Sequence, residues 1–339
     1  MDLSSPRRFV VTFLAAFLVS SLLLAGFNFT VNPLGYYPPH LVQPLSYGDQ
    51  LIKLDLMKQA KAPDLVILGS SRTMKLSPAD VTDLTGWTAF NGGVSSSRPE
   101  EWYAMLSHAL NDLHWHPKAL VLGVDAETLF YHGDPNDDLL SSPDLRKYLP
   151  LQMWAGSLLN RTKLLISYDQ TLLSKKALGL AMEPNQQPKA ITFESNGLLH
   201  YVGWEKAVQD GTYQLGYEVN IKDYQRRYAA TADFDAQRQS LFERTLDLAA
   251  RNQIQVYLFL TPFHPGVLAA MQQDPDFNRV RSAVLPYLQG MTEKYPGVTF
   301  TDLTDIHSFG GDPNNFFDGV HYRQENARLI LARLLLPGR

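Results

Sequence analysis

The chain has 339 residues, with 30 Lys and Arg against 34 Asp and Glu for a formal net charge of -4, which excludes a nucleic-acid binder relying on a basic surface. At 45% hydrophobic and 19% charged residues the composition is that of a protein folded around a core, and wholesale disorder is excluded. There is no cysteine, so disulfides, thiolate metal sites, iron–sulfur clusters and a Cys nucleophile are excluded together.

The first element is an apolar run. Phe9 to Phe27 holds 19 residues without a charge, about 28 Å as a helix and long enough to cross a bilayer. Arg7 and Arg8 precede it, so residues 1–8 are expected on the cytoplasmic side and the remainder across the membrane. A cleaved signal peptide is the alternative. The run exceeds the usual apolar region of such a peptide, however, and ends in Leu-Leu-Ala-Gly-Phe with no A-x-A-like site. Residues 28–60 read as a linker and domain entry. Asn32 to Pro39 is rich in Pro, Gly and Tyr, with Tyr36 and Tyr37 placed either among lipid headgroups or against the domain.

The domain is expected over residues 61–339, and from Asp64 onward short apolar runs bounded by Gly, Asn or Asp alternate with longer helix-like segments. The runs are Leu65 to Leu68, Thr88 to Phe90, Ala119 to Val124, Val256 to Leu260 and Val298 to Thr301. Helices are expected over Pro99 to Leu113, Phe234 to Asn252, Phe277 to Tyr295 and Arg323 to Leu336. Continuous apolar strands separated by helices imply an α/β domain with a parallel sheet covered on both faces. Between Phe130 and about Tyr228 the pattern loosens, through an acidic loop at Asp134 to Asp138, a Leu-rich stretch and the polar run Glu183 to Pro188. That length predicts an inserted cap over one sheet edge, serving either as a pocket wall or as structure alone.

Three strand ends carry chemistry-bearing residues. Val66 to Arg72 runs from a strand into Gly69, Ser70, Ser71 and Arg72, presenting a hydroxyl and backbone amides where open α/β sheets bind ligands. A helix-capping serine would look the same. Phe90 to Ser97 repeats the pattern with Asn91, Gly92 and Gly93, as an anion-stabilising hole or a plain tight turn requires. Near the C-terminus stands Asp318-Gly319-Val320-His321, a carboxylate three residues before an imidazole. At that spacing the carboxylate can hold the ring's tautomer while the ring takes a proton from a hydroxyl.

With these three signals in this order the sequence resembles the SGNH, or GDSL-like, hydrolase superfamily. The likeness is to its membrane-anchored envelope branch of alginate O-acetylation and teichoic-acid D-alanine transfer proteins, over about residues 60 to 130 and 230 to 339. The resemblance implies a flavodoxin-like three-layer sandwich with a five-stranded parallel sheet. It nominates Ser71 as nucleophile, Gly92 or Gly93 beside Asn91 as oxyanion donors, and Asp318 and His321 as the other triad members. It implies a serine O-acyl esterase or acyltransferase working on cell-envelope polysaccharide esters outside the cytoplasmic membrane, without cofactor or metal. The partners implied are an acyl donor, the polysaccharide, lipid around the N-terminal helix, and a membrane-bound acyltransferase. The rival is a non-catalytic protein of the same fold that binds polymer or scaffolds an assembly. One departure is visible: hydrolytic members carry an Asn at the third block, where this chain has Asp125 after Gly123 and Val124. An ionised carboxylate accepts and does not donate, which shifts weight toward acyl transfer or a degenerate site.

Arg72, Asp125 and His264, the last between Pro262-Phe263 and Pro265, are further candidates for substrate contact, Arg72 and His264 each with a local structural alternative. His114 and His116 flank Trp115 without neighbouring carboxylates, which favours a helix C-terminal role over a metal. Asn28-Phe29-Thr30 and Asn160-Arg161-Thr162 match a glycosylation pattern common by chance.

Overall fold

The computed structural model describes residues 6–37, 41–42, 45, 48–182 and 190–336. The chain divides into two compact units, one of residues 1–51 with 137–188 and the other of residues 52–136 with 189–339. The segment 130–228, read from sequence as a single insertion, is therefore shared between both units. Its polar run Glu183 to Pro188, like Pro38 and Pro39 of the linker, lies outside the described residues.

The first unit is helical. Pro6–Val31 forms one 26-residue helix whose most apolar stretch has a mean hydropathy of 2.4 with none of it buried, long and apolar enough to span a membrane. The helix continues past Phe27 because its next polar residue is satisfied. The Asn28 amide donates to the Leu165 carbonyl at 2.8 Å and to Thr171 Oγ1 at 3.0 Å, and its oxygen accepts from Ser174 Oγ at 2.7 Å. Two of these partners lie on the helix Tyr168–Met182, so a buried amide that would oppose the helix end instead locks two helices together. Tyr36 and Tyr37 pack on protein: Tyr36 donates to Asp137 Oδ2 at 2.9 Å under the Arg161 guanidinium, and Tyr37 donates to the Arg161 carbonyl.

The second unit holds the sheet. In chain order its strands are β1 Leu65–Leu68, β2 Ala89–Asn91, β3 Ala119–Val124, β4 Ile191–Phe193, β5 Leu199–Tyr201, β6 Gln255–Leu260 and β7 Val298–Asp302. β4 and β5 pair antiparallel as a separate hairpin. The other five form a wholly parallel sheet in the order β2-β1-β3-β6-β7, the doubly wound arrangement of flavodoxin-like folds. Both faces of the inner strands β1 and β3 are covered, which is why these read as unbroken apolar runs, whereas the edge strand β7 is only partly buried. On one face Leu65, Ile67, Val121 and Phe259 pack with Val81, Ile330, Leu331 and Leu334. The alternate residues Val66, Leu120 and Leu258 point the other way and are equally buried.

Helices Pro99–Asn111 and Ala236–Arg251 pack against each other. Trp102 meets Phe242 edge to face, and a buried ion pair joins Glu100 to Arg238 at 2.7 Å. The direction of winding reverses between β1 and β3, so the crevice beyond their carboxyl ends is the fold's natural ligand position. Gly69 to Arg72 and Gly123 to Ala126 open there.

Candidate active site

The nucleophile candidate is held by a turn that only glycine can start. Gly69 leaves β1 at a φ of 141°, and a Cβ there would come within 2.5 Å of Thr73 Cγ2 and 2.7 Å of the Gly123 carbonyl. The chain then enters the 3-10 turn Ser71–Thr73, capped by Ser70, whose hydroxyl accepts from the Arg72 N–H at 3.2 Å. Capping thus falls to Ser70, and Ser71 is left with its hydroxyl free to face elsewhere. Its backbone N–H, at the first position of the turn, has no acceptor within the turn.

The acid and base candidates come from the loop before the helix Gln324–Leu335. Phe316 and Tyr322 pair across this loop, and the Phe317 N–H donates to the His321 carbonyl at 2.7 Å. Asp318 Oδ1 accepts from the backbone N–H groups of Val320 and His321, both at 2.8 Å, while Oδ2 lies 2.8 Å from His321 Nδ1. His321 Nε2 lies 2.8 Å from Ser71 Oγ. Burial alone would raise the Asp318 carboxyl, but the His321 ring and the two amides outweigh it and hold it below the ordinary carboxylate value. An ionised Asp318 accepts a hydrogen bond from Nδ1–H, which leaves Nε2 free to accept from Ser71. The chain therefore brings Ser71, His321 and Asp318 into one hydrogen-bonded line, the arrangement that activates a hydroxyl for attack.

The expected oxyanion donors are disposed otherwise. The Gly92 N–H donates to the Ile67 carbonyl at 2.8 Å as part of the sheet edge, and the Gly93 N–H donates to Asn91 Oδ1 at 2.9 Å. Asn91 itself is fully buried, its amide donating to the carbonyls of Thr73 and Leu76, both at 2.8 Å. These three residues fasten β2 to the nucleophile turn, and their donors are committed in this arrangement. Lys53, equally buried, donates to the Asn91 carbonyl at 2.7 Å and to that of Gly197.

Arg72 is buried rather than turned to solvent. Its Nη1 donates to Thr261 Oγ1 at 2.7 Å and lies 3.5 Å from Asp125, and its guanidinium stacks on Tyr224 and Phe263. Asp125 Oδ1 accepts from Thr261 Oγ1 at 2.5 Å. Where the resemblance expected an amide donor, the site therefore has a carboxylate already bridged to a cation and a hydroxyl. Asp125 also borders, with Arg98, Glu127, Tyr131 and Arg227, a cavity of about 500 Å³ that none of the three aligned residues lines. Burial, reinforced by the Asp125 charge, pushes the Glu127 carboxyl up.

His264 caps the helix Pro265–Met271, with Nδ1 accepting from the Gly266 N–H at 3.1 Å and its ring stacked on Tyr217. Burial holds its pKa below the ordinary value. Its backbone N–H donates to the Gly319 carbonyl at 2.9 Å, so His264 steadies the Asp318 loop from behind. Asn220 does the same, accepting from the Gly319 N–H at 2.8 Å. His114 and His116 are both exposed on either side of the buried Trp115, which packs on Phe90.

Sequence reasoning missed the aromatic residues beside His321. Tyr201 and Trp204 approach its ring at centroid distances of 5.9 and 6.4 Å, and both rings also meet Phe317. They sit at the end of β5 and the start of the helix Val202–Gln209, in the stretch whose apolar residues follow no period.

No protein-family model matches this chain, and no curated protein matches it.

Proposed function

We propose that the protein is a membrane-anchored serine O-acyl esterase or acyltransferase of the SGNH type, acting on esters of a cell-envelope polysaccharide outside the cytoplasmic membrane. The observation that carries this reading is the unbroken line from Ser71 Oγ to His321 Nε2 and from His321 Nδ1 to Asp318 Oδ2, each at 2.8 Å. The five-stranded sheet order and the origin of the three groups in the turn after β1 and the C-terminal D-x-x-H support the same family. The N-terminal helix supports anchoring, with lipid around it and the catalytic unit on the far side.

In this mechanism His321 Nε2 accepts the Ser71 proton as Oγ attacks the ester carbonyl, and Asp318 stabilises the imidazolium that forms. The Ser71 N–H at the mouth of the 3-10 turn meets the developing oxyanion. His321 then protonates the departing alcohol, leaving Ser71 acylated. A sugar hydroxyl in a transferase, or water in an esterase, surrenders its proton to His321 and takes the acyl group, and His321 returns that proton to Ser71 Oγ as the acyl bond breaks. An acyl donor is required, and a membrane-bound acyltransferase would supply it at the bilayer.

Commitment of the Gly92 and Gly93 amides favours the second reading, a non-catalytic protein of this fold that binds polymer or scaffolds an assembly. The two separate in one assay: purified full-length protein in detergent, given p-nitrophenyl acetate with and without a tetrasaccharide acceptor. The enzyme reading expects turnover abolished by Ser71→Ala and His321→Ala, with acetylated sugar marking transfer and acetate alone marking hydrolysis. Turnover that survives Ser71→Ala removes Ser71 from the chemistry and overturns the enzyme reading, and none at all from the wild type gives the scaffold reading.

A further inference from the structure

Beside the imidazole stands a half-open aromatic shelf. Trp204 is 38% exposed, an unusual state for the largest side chain, although one of its faces is stacked on Phe317 with centroids 5.5 Å apart. Tyr201 packs against both Trp204, at 4.7 Å, and Phe317, at 5.4 Å. Phe317 is backed in turn by Tyr213, whose hydroxyl donates to the Phe317 carbonyl. The shelf is rigid. Glu205, next to Trp204, accepts from Lys75 Nζ at 2.7 Å, from the Tyr201 N–H at 3.1 Å, and pairs with His200 Nδ1 at 2.9 Å. Lys75 also donates to the Leu199 carbonyl, and the Leu199 N–H donates to the Met74 carbonyl. Both Lys75 and Met74 directly follow the Ser71–Thr73 turn, so the shelf is bolted to the element that carries the candidate nucleophile.

We propose that Trp204 and Tyr201 form a subsite that stacks a pyranose ring of the glycan whose ester Ser71 makes or breaks, an inference that rests on the esterase or acyltransferase reading above. A sugar ring has an apolar C–H face and a rim of hydroxyls that stay in water. A flat indole backed by Phe317 on one side and partly exposed to solvent offers such an apolar face. A lipid acyl chain would instead call for an enclosed apolar slot that buries most of its surface. Trp204 is on this reading a specificity residue: it holds the carbohydrate part of the substrate while the triad handles the ester.

The test uses full-length protein in detergent. A panel of neutral, N-acetylated and uronic tetrasaccharides is titrated into the Ser71→Ala protein by calorimetry, and turnover of p-nitrophenyl acetate and of an acetylated tetrasaccharide is measured in parallel. Loss of one ring stack corresponds to about fivefold to tenfold in affinity. Trp204→Ala is expected to weaken the bound tetrasaccharide by that factor, with Trp204→Phe restoring most of it. Its KM for the acetylated tetrasaccharide rises at least fivefold more than its KM for p-nitrophenyl acetate. Equal losses on both esters would mean that Trp204 merely props up the triad and would overturn the proposal. So would tetrasaccharide affinity indifferent to Trp204→Ala, binding only of a long-chain p-nitrophenyl ester, or no tetrasaccharide binding at all. Sugar binding that depends on Trp204 in a protein with no ester turnover would sink the enzyme reading and leave the subsite standing.

Discussion

Replacing Asp318 by Asn tests the proton path with little change in shape. Asn keeps an oxygen that can accept from the Val320 and His321 amides, so the loop retains both 2.8 Å bonds from those donors. The second oxygen, 2.8 Å from His321 Nδ1, becomes an amide donor. A donor facing Nδ1 forces the imidazole proton onto Nε2, and that proton then points at Ser71 Oγ across the 2.8 Å contact. The ring can no longer receive the serine proton, and no charge remains to steady an imidazolium. In a serine triad the same exchange costs about 10⁴ in kcat, or about 5.5 kcal/mol of transition-state stabilisation. Purified wild type and Asp318→Asn are compared for p-nitrophenyl acetate turnover, with thermal unfolding followed alongside. A fall of about 10⁴ with a nearly unchanged unfolding midpoint is expected. If the variant retains more than about a tenth of the wild-type kcat, a margin far outside that range, the hydrogen-bonded line has no part in the reaction.

Gly69→Ala should destabilise by at least about 2 kcal/mol in denaturant titration, because its backbone is strained for any side chain and the Gly123 carbonyl cannot retreat. An unchanged midpoint would refute the packing given for this turn. Arg238→Leu leaves the Glu100 charge buried without its bidentate partner and should cost about 3–5 kcal/mol. Adding Glu100→Gln should recover part of that loss, and a second mutation that deepens it would contradict the pairing. For the hairpin, burial alone would lower the His200 pKa, but hydrogen bonds to Glu194 and Glu205 raise it above the ordinary value. A histidine raised on folding contributes stability in full below its unfolded pKa of about 6.5 and loses it as pH climbs through the folded value. Amide exchange over Ile191–Tyr201, corrected for intrinsic rates, should therefore show less protection at about pH 9 than at about pH 6. Glu194→Gln should flatten that dependence, whereas protection that rises with pH would reverse the argument.

The inner strands β1, β3 and β6 were legible because they are covered on both faces, so burial demands a largely continuous apolar run that survives in the one-dimensional pattern. Observed strand ends differ from expectation by a residue at Ala89–Asn91, Gln255–Leu260 and Val298–Asp302, where ladder hydrogen bonds rather than side chains decide the boundary. The candidate triad was legible too, since a hydroxyl at a glycine turn and a D-x-x-H are local patterns. What those patterns do not carry is how backbone donors are spent. Gly92 and Gly93 look alike as free amides until the sheet edge claims one and the Asn91 side chain the other. Nor is the aromatic shelf legible, because β4 and β5 are three residues each and half exposed, and Trp204 meets His321 only through long-range packing. The extension of the N-terminal helix to Val31 was hidden for a similar reason, as Asn28 is tolerated because Leu165, Thr171 and Ser174 satisfy it.

Whether Ser71 is an activated nucleophile can be read directly by treating the full-length protein with a fluorophosphonate and mapping the adduct by mass spectrometry. A single phosphonyl group on Ser71, absent from Ser71→Ala and much slower to form in His321→Ala, is the expected result. A Ser71 that stays unmodified while the reagent labels another serine or nothing would contradict the central proposal.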